Sequence, residues 1–152
     1  MTRPPVEDEL AIRELYARYC WALDTGDTDG YVALFAEDAE ATEETAGGDL
    51  EIRKGREEIR KLVLKFHQRE DFPGHQHQMA QLVFEPAGPD RWIVRSYAWA
   101  TINRPPAPPH LHWCGHVRDE VAKVGGRWLI ARKDIMGWAG EVLARFADKR
   151  DL

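Results

Sequence analysis

The first part of the chain carries hydrophobic residues at the spacing of an amphipathic helix. Between about Asp8 and Asp24 they recur every three or four positions and fall in one wide arc, at about 100° per residue. The members of this arc are Ile12, Leu15, Tyr16, Tyr19, Ala22 and Leu23. Asp24 lies just beyond the edge of the arc, so we expect its carboxyl group at the rim of the buried face. It also lies in the last helical turn, where the helix dipole disfavours a negative charge.

Two further helices are predicted after this one. Gly26 can end the first helix, and Asp27 can cap a second helix over 27–38. The hydrophobic residues that the second helix should turn inward are Tyr31, Leu34 and Phe35. A third helix is predicted over 56–66. Its apolar stripe consists of Ile59, Leu62, Val63 and Phe66.

The pattern then changes to segments rich in β-branched and aromatic residues, which are typical of strands. Four long strands are predicted, over 76–86, 91–103, 110–123 and 127–137. The last two are joined by the hairpin signal "KVGGRW", and the proline-rich "NRPPAPPH" predicts a stiff loop between two strands. Less regular segments predict short strands over 39–44 and 50–53 and a terminal helix over 138–149. Helices followed by a long antiparallel sheet indicate an α+β fold.

Length and charge restrict the classes of function. The chain has 152 residues, 43% of them hydrophobic, which is enough apolar material for the core of a single domain over 1–152. A formal charge of −5 leaves no basic excess for binding phosphates, so we expect no nucleic-acid partner. No segment approaches the roughly 18 apolar residues of a membrane span, and the N-terminus lacks a signal-peptide pattern. We therefore expect a cytoplasmic protein with no membrane partner, in which Cys20 and Cys114 are reduced thiols.

Histidines give the strongest chemical signal, because five of the six fall on two of the predicted strands. Side chains alternate along a strand, so the members of each cluster should share one face. On the first long strand these residues are His75, His77, Met79 and Gln81. On the third long strand they are His110, His112, Cys114, His116 and Arg118.

Three explanations for this clustering stay open at the level of residue types. The imidazoles can be ordinary sheet residues, partly exposed and hydrogen-bonded. They can serve general acid–base catalysis, in which a histidine oriented by a carboxylate such as Asp24 moves a proton to or from a substrate. They can also hold a metal ion, since His-x-His on a strand presents two nitrogens to one point.

Four segments carry a resemblance to a known family. They are "IRELYARYCWALDTGDTDGYVALFAEDAE", "GREEIRKLV", "GHQHQMAQLVFE" and "GHVRDEVAKVGGRWLIARKDI". They contain the pattern I-x-x-L-x-x-x-Y-x-x-A-x-D-x-G-D, a following L-F-x-x-D, a later H-x-x-x-N/Q and a closing G-x-W hairpin. In these features the chain resembles the SnoaL-like branch of the nuclear transport factor 2-like superfamily over nearly its whole length.

The resemblance implies a cone-shaped α+β barrel, in which a curved antiparallel sheet wraps around helices and leaves a deep, mostly apolar pocket. Members include scytalone dehydratase, ketosteroid isomerase and a hexachlorocyclohexane dehydrochlorinase, and most of them work without a cofactor. Several resembling enzymes pair an aspartate at the end of the first helix with a histidine on the first long strand. Those two positions match Asp24 and His77.

The resemblance also implies roles for individual residues. His77 is expected to act as base and then as acid, Asp24 as its orienting partner and Tyr16 as a hydrogen-bond donor to the substrate. His116, where the family commonly has a tyrosine, or His112 is expected to protonate a leaving hydroxyl group. The residues expected to bind substrate are Tyr19, Tyr31, Met79, Gln81, His112 and Arg132.

The favoured interpretation is a small lyase or isomerase, dehydratase-like and free of metal or other cofactor, acting on a hydrophobic cyclic, polyketide- or steroid-like substrate. One alternative is a non-catalytic module of the same fold that binds a small molecule or a partner chain, in which Asp24 is held by Arg132 or by backbone amides. Another is a metal-dependent enzyme that uses the strand from His110 to His116. The resemblance further implies a homodimer or higher homo-oligomer. The pattern does not decide whether Arg132 or Lys133 faces inward.

Overall fold

The computed structural model describes residues 3–44 and 50–137, with the side chains of residues 43 and 44 left aside. In this part of the chain the helices are α1 (Val6–Thr25), α2 (Thr28–Val32) and α3 (Gly55–His67). The strands are β1 (Phe35–Glu44), β2 (Leu50–Lys54), β3 (His75–Gly88), β4 (Arg91–Ile102), β5 (His110–Val124) and β6 (Arg127–Gly137). The predicted α+β class and the four long strands are confirmed. The predicted terminal helix over 138–149 lies outside the described residues.

The six described strands form one sheet in the order β2-β1-β6-β5-β4-β3. All neighbours are antiparallel except β1 and β6, which run parallel, so the sheet is mixed where the sequence predicted an antiparallel one. The edge strands β2 and β3 do not pair with each other, and the sheet stays open. Helix α1 packs along β3 and β6, and α3 packs on β1 and β2. Among the described residues, no helix has the length and apolar character to cross a membrane.

Helix α1 forms as its periodicity predicts, and all six residues of the apolar arc are buried. It ends at Gly26, whose φ of 79° lies in the left-handed region that favours glycine. The next residue, Asp27, starts α2 by accepting a hydrogen bond from the Gly30 amide at 2.9 Å. These three features confirm the predicted boundary between the first two helices.

The second helix is much shorter than predicted, because the sheet takes over its C-terminal half. α2 ends at Val32, and β1 already begins at Phe35. The Ile130 amide of β6 donates to the Leu34 carbonyl at 2.9 Å, which joins the turn after α2 to the sheet. Leu34 and Phe35 are buried as expected, but they face the core from a turn and a strand.

Bulges change which side chains face inward on the long strands. In β3 the register shifts between Ala80 and Val83, and Gln81 takes a positive φ of 53°. Gln81 is therefore exposed, and Leu82 turns inward where strict alternation predicted Gln81. In β6 an extra residue, Ala131, stands opposite the step between Glu120 and Val121. This second bulge reverses the alternation after Ile130, so Lys133 faces inward and Arg132 faces solvent.

Candidate functional site

A cleft of about 480 Å³ lies between the C-terminal half of α1 and the first half of the edge strand β3. Its walls include Tyr16, Ala17, Cys20 and Asp24 from α1, and His75, His77, Met79 and Leu82 from β3. The cleft exists because the apolar face of α1 packs against the core while its margin stands beside the unpaired edge of the sheet. Predicted site residues from two distant segments therefore meet here.

Asp24 and His77 are in direct contact across this cleft. Asp24 Oδ1 lies 2.5 Å from His77 Nδ1, and Asp24 Oδ2 accepts the His77 backbone amide at 2.7 Å. Both side chains are half-buried, with 15% exposure for Asp24 and 23% for His77. The backbone bond arises because β3 is an edge strand, so the amide on its free side has no neighbouring strand to bond. Two hydrogen bonds thus fix the carboxylate relative to both the backbone and the ring of one residue.

The carboxylate of Asp24 determines the tautomer of the His77 imidazole. An ionised carboxylate can only accept, so Nδ1 of His77 carries the proton in this bond. In the neutral ring, Nε2 then has a free lone pair and can remove a proton from a bound molecule. The carboxylate stabilises the imidazolium that would result. This arrangement is chemically competent for general base catalysis.

Aromatic rings pack against the imidazole of His77. Phe66 of α3 meets the imidazole edge to face, with ring centroids 5.7 Å apart and planes at 74°. His75 stacks nearly parallel to it, with centroids 6.3 Å apart and planes at 15°. Nδ1 of His75 donates to the Phe72 carbonyl at 2.9 Å, which leaves its Nε2 as the unprotonated nitrogen of the neutral ring.

Tyr16 contributes its ring to the cleft, but its hydroxyl lies inside the protein. The hydroxyl oxygen is fully buried, next to the Asp119 carboxylate. Burial, and then the negative charge of Asp119, raise the pKa of Tyr16 well above its usual value. The phenol therefore stays protonated, and it points toward Asp119 instead of the open part of the cleft.

Sequence reasoning missed an ion pair beneath the cleft, formed by Lys133 and Asp119. Lys133 Nζ lies 3.0 and 3.3 Å from the two carboxylate oxygens of Asp119, and the side chains are 1% and 0% exposed. The ammonium group also sits 4.2 Å from the ring centroid of Tyr19. Burial raises the pKa of Asp119, and the charge of Lys133 opposes that rise. The pair depends on the register of β5 with β6, which no local pattern specifies.

Several residues predicted to bind substrate do not line the cleft. Tyr19 and Tyr31 are core residues whose hydroxyl groups meet at 3.2 Å, and their rings pack with Phe35. Arg132 points to solvent and bonds Asp134 at 3.1 Å, because the bulge before it reverses the alternation. Gln81 is exposed for the same kind of reason in β3. Of the predicted binding residues, Met79 lines the cleft.

The histidines of β5 do not converge on Asp24 and His77. His116 alternates with the buried Val117 and pairs with the exposed Tyr97, so it faces the opposite side of the sheet from the cleft. This corrects the expectation that His116 protonates a leaving group there. His112 lies on a bulge of β5, is exposed, and contacts the ring of His75 at a centroid distance of 5.4 Å. Partial burial, followed by the charge of His75, lowers the pKa of His112.

Residues 3–44 and 50–137 contain no cluster of side chains arranged to hold a metal ion. The predicted signature was three or more nitrogens of the His110 to His116 strand converging with a carboxylate on one point. Across the described ranges, no group of three or more histidine, cysteine, aspartate and glutamate side chains has such an arrangement. The histidines of β5 are instead divided between the two faces of the sheet.

Comparison with known proteins shows which family the chain matches. The model of the SnoaL-like domain family matches residues 4–134. A search of curated protein sequences finds no significant match.

Solved structures with the same fold are numerous. A variant of Rv3472, a protein of unknown function from Mycobacterium tuberculosis, is 28% identical with a TM-score of 0.73, over 88% of this chain and 77% of that one. A protein of unknown function with a cystatin-like fold from Nostoc punctiforme is 25% identical with a TM-score of 0.73, over 88% and 93%. A protein from Novosphingobium aromaticivorans, provisionally named scytalone dehydratase, is 22% identical with a TM-score of 0.71, over 88% and 86%. These likenesses confirm the predicted nuclear transport factor 2-like fold.

Proposed function

The chain belongs to the SnoaL-like domain family, and on that premise we propose that it is a small lyase or isomerase that removes a proton from a hydrophobic cyclic substrate. One observation carries the proposal. The carboxylate of Asp24 holds the ring and the backbone of His77 by two short hydrogen bonds at the wall of an open cleft. The alternative partner considered for Asp24, Arg132, is bonded to Asp134 on the surface.

The proposed reaction begins at Nε2 of His77. This nitrogen takes a proton from a carbon next to an activating carbonyl group, and the electron pair of the C–H bond moves into the substrate. Asp24 stabilises the imidazolium and keeps the ring in the productive tautomer. In an elimination, the same imidazolium then protonates the leaving hydroxyl group, which departs as water with the electrons of the C–O bond. His77 thereby fills the role of base and acid in turn, and no second histidine is required.

The cleft offers a substrate apolar contacts beside polar ones such as Gln76 and Gln78. Met79 and Leu82 line one wall, and the ring of Tyr16 and the methyl group of Ala17 line the other. A volume of about 480 Å³ falls within the range of small-molecule sites. The provisional name of the neighbour from Novosphingobium aromaticivorans fits a hydroxylated cyclic substrate. The role of Tyr16 as a hydrogen-bond donor to the substrate stays a prediction. The cytoplasmic location and the homodimer also stay predictions.

The test is a screen of hydroxylated cyclic ketones in deuterated water, followed by NMR. We expect loss of water or exchange of a C–H proton, with His77→Gln reducing the rate by about 10²- to 10⁴-fold, the usual contribution of a general base. Asp24→Asn should reduce the same rate without preventing substrate binding. His112→Gln is the matched control, because it removes a nearby imidazole outside the pair. An unchanged rate in His77→Gln would exclude the proposed mechanism.

A binding module is the second candidate. Tyr19, Tyr31 and Phe35 fill the interior between the helices and the sheet, so the cleft is open at the surface and not enclosed at the centre of the fold. If the protein binds members of the screen, turns none of them over, and binds equally well as His77→Gln, this second function is the correct one.

A further inference from the structure

We propose that the last turn of α3 aligns the Asp24–His77 pair, with His67 as the positioning residue for Asp24 and Phe66 as the positioning residue for His77. The inference rests on the proposed function, since it assigns the support of the same pair. His67 is the one histidine that lies outside the two strand clusters, on α3, and the mechanism above does not use it.

His67 bonds the backbone of α1 one residue before Asp24. Its Nε2 lies 2.9 Å from the Leu23 carbonyl oxygen, which can only accept, so Nε2 carries the proton. This carbonyl belongs to the last turn of α1, where carbonyl groups have no partner within the helix. The Ala22 carbonyl is bonded by the chain that turns back at Gly26 and Asp27, whereas the Leu23 carbonyl is bonded from α3. The backbone that carries Asp24 is thus tied to a different helix.

The second nitrogen of His67 is also engaged. Thr28 Oγ1 lies 2.9 Å from Nδ1, and in the neutral ring the hydroxyl group donates to that nitrogen. Thr28 is the first residue of α2, so one imidazole joins the end of α3 to the end of α1 and to the start of α2. Both nitrogens being bonded leaves the ring no freedom to rotate. The tautomer is the reverse of that in His77, which carries its proton on Nδ1.

Phe66 acts on the other member of the pair. Its ring contacts His77 edge to face at 5.7 Å and His75 in the same manner at 5.3 Å. This edge-to-face contact restricts rotation of the imidazole, and we infer that it helps to keep Nδ1 toward the Asp24 carboxylate. Phe72 packs on both Phe66 and His67, with centroids at 5.3 and 5.0 Å, and joins the two supports into one unit.

Consecutive residues of one helical turn thus support both partners of a 2.5 Å contact. A shift of about 1 Å in a catalytic group can cost roughly a hundredfold in rate. A loosened last turn of α3 should leave the protein folded and the substrate bound, but misalign Asp24 and His77. The signature is a fall in kcat with little change in KM.

The experiment reads the pair without a substrate, by NMR of the full chain labelled with ¹⁵N in its histidines, at about pH 8, where ordinary histidines are neutral. In the unmodified protein, we expect protons on Nδ1 of His77 and on Nε2 of His67. Asp24→Ala should convert His77 to a mixture of tautomers. His67→Phe keeps the ring but loses both hydrogen bonds, and it should produce the same mixture. His67→Gln keeps a donor for the Leu23 carbonyl and should restore the single tautomer.

Val63→Ala is the matched control, because Val63 is buried in the same helix and its aliphatic side chain can form neither a hydrogen bond nor a ring contact. It should destabilise the fold and leave the tautomer of His77 unchanged. If His67→Phe also leaves it unchanged while Asp24→Ala alters it, the inference is wrong and the pair stands. If Asp24→Ala has no effect, the proposed function itself fails. An effect of Val63→Ala equal to that of His67→Phe would also overturn the positioning role.

Discussion

Replacing Lys133 by methionine should destabilise the fold strongly, because it leaves the carboxylate of Asp119 buried without a counter-charge. Asp119 is 0% exposed, and its two oxygens lose N–H donors at 3.0 and 3.3 Å. Charge-assisted hydrogen bonds contribute about 1.5–3 kcal/mol, and the lost cation–π contact with Tyr19 at 4.2 Å adds about 0.5–2 kcal/mol. The sum agrees with the roughly 3–5 kcal/mol found when one partner of a buried pair is removed. Such a loss is a large part of a total stability of about 5–15 kcal/mol.

The loss should depend on pH, with a sign that follows from Asp119. Burial already raises the pKa of Asp119, and in Lys133→Met the opposing charge is gone. The folded variant then binds a proton at a pH where the unfolded chain, with an aspartate pKa near 3.9, does not. Stability therefore increases as the pH falls through the raised pKa toward about 3.9, by at most about 1.4 kcal/mol per pH unit for one group. The variant should be closer to the unmodified protein at about pH 5 than at about pH 7.

Urea unfolding followed by tryptophan fluorescence measures both effects. Asp119→Leu combined with Lys133→Met replaces the pair by apolar side chains and should recover most of the stability, since such replacements are often neutral or stabilising. Arg132→Met is the matched control, because that neighbouring arginine forms an exposed pair worth about 0–1 kcal/mol. The reasoning is refuted if Lys133→Met costs no more than Arg132→Met, or if the double variant is less stable than the single one.

Three smaller effects follow from other parts of the structure. Burial raises the pKa of the Cys20 thiol to about 11, so iodoacetamide at about pH 8 should alkylate the exposed Cys114 well before Cys20. Mass spectrometry of the intact and digested protein measures the two rates, and equal rates would contradict the burial of Cys20. Gly26→Ala should lower the free energy of unfolding in urea by about 1–2 kcal/mol, because the residue has a φ of 79°. The added methyl group meets only ordinary contacts, so the cost comes from the backbone, and an unchanged midpoint would mean that the turn can rearrange. Asp27→Ala should cost about 0.5–2 kcal/mol by removing the cap on the Gly30 amide, and Asp27→Asn should cost less because it retains an acceptor.

The features that could be predicted from the sequence are those that depend on the spacing of hydrophobic residues within one element. Helix α1, its end at Gly26 and the long strands all follow from residues within one element. The errors came from interactions between elements. The second helix was cut short because β6 bonds the chain at Leu34, and Gln81 and Arg132 turned outward because bulges in β3 and β6 reverse the alternation. A bulge depends on the partner strand, so no single-strand pattern contains it.

The candidate site divides in the same way. The pairing of Asp24 with His77 was predicted from the family resemblance, because 53 residues separate them and no spacing rule joins them. Lys133 and Asp119 were missed because a lysine on a strand is ordinarily a surface residue, and its burial depends on the cross-strand register.

The position of Asp24 at the end of α1 has a physical explanation once His77 is beside it. The negative end of a helix dipole disfavours a carboxylate there by about 0.3–1 kcal/mol, and α1 has no basic residue in its last turn to compensate. The same field favours a cation. If His77 accepts a proton in the proposed reaction, the carboxylate and the carbonyl end of the helix both stabilise the imidazolium. Under the proposed function, a location that is unfavourable for the carboxylate in the resting protein is therefore favourable for the charged intermediate of the reaction.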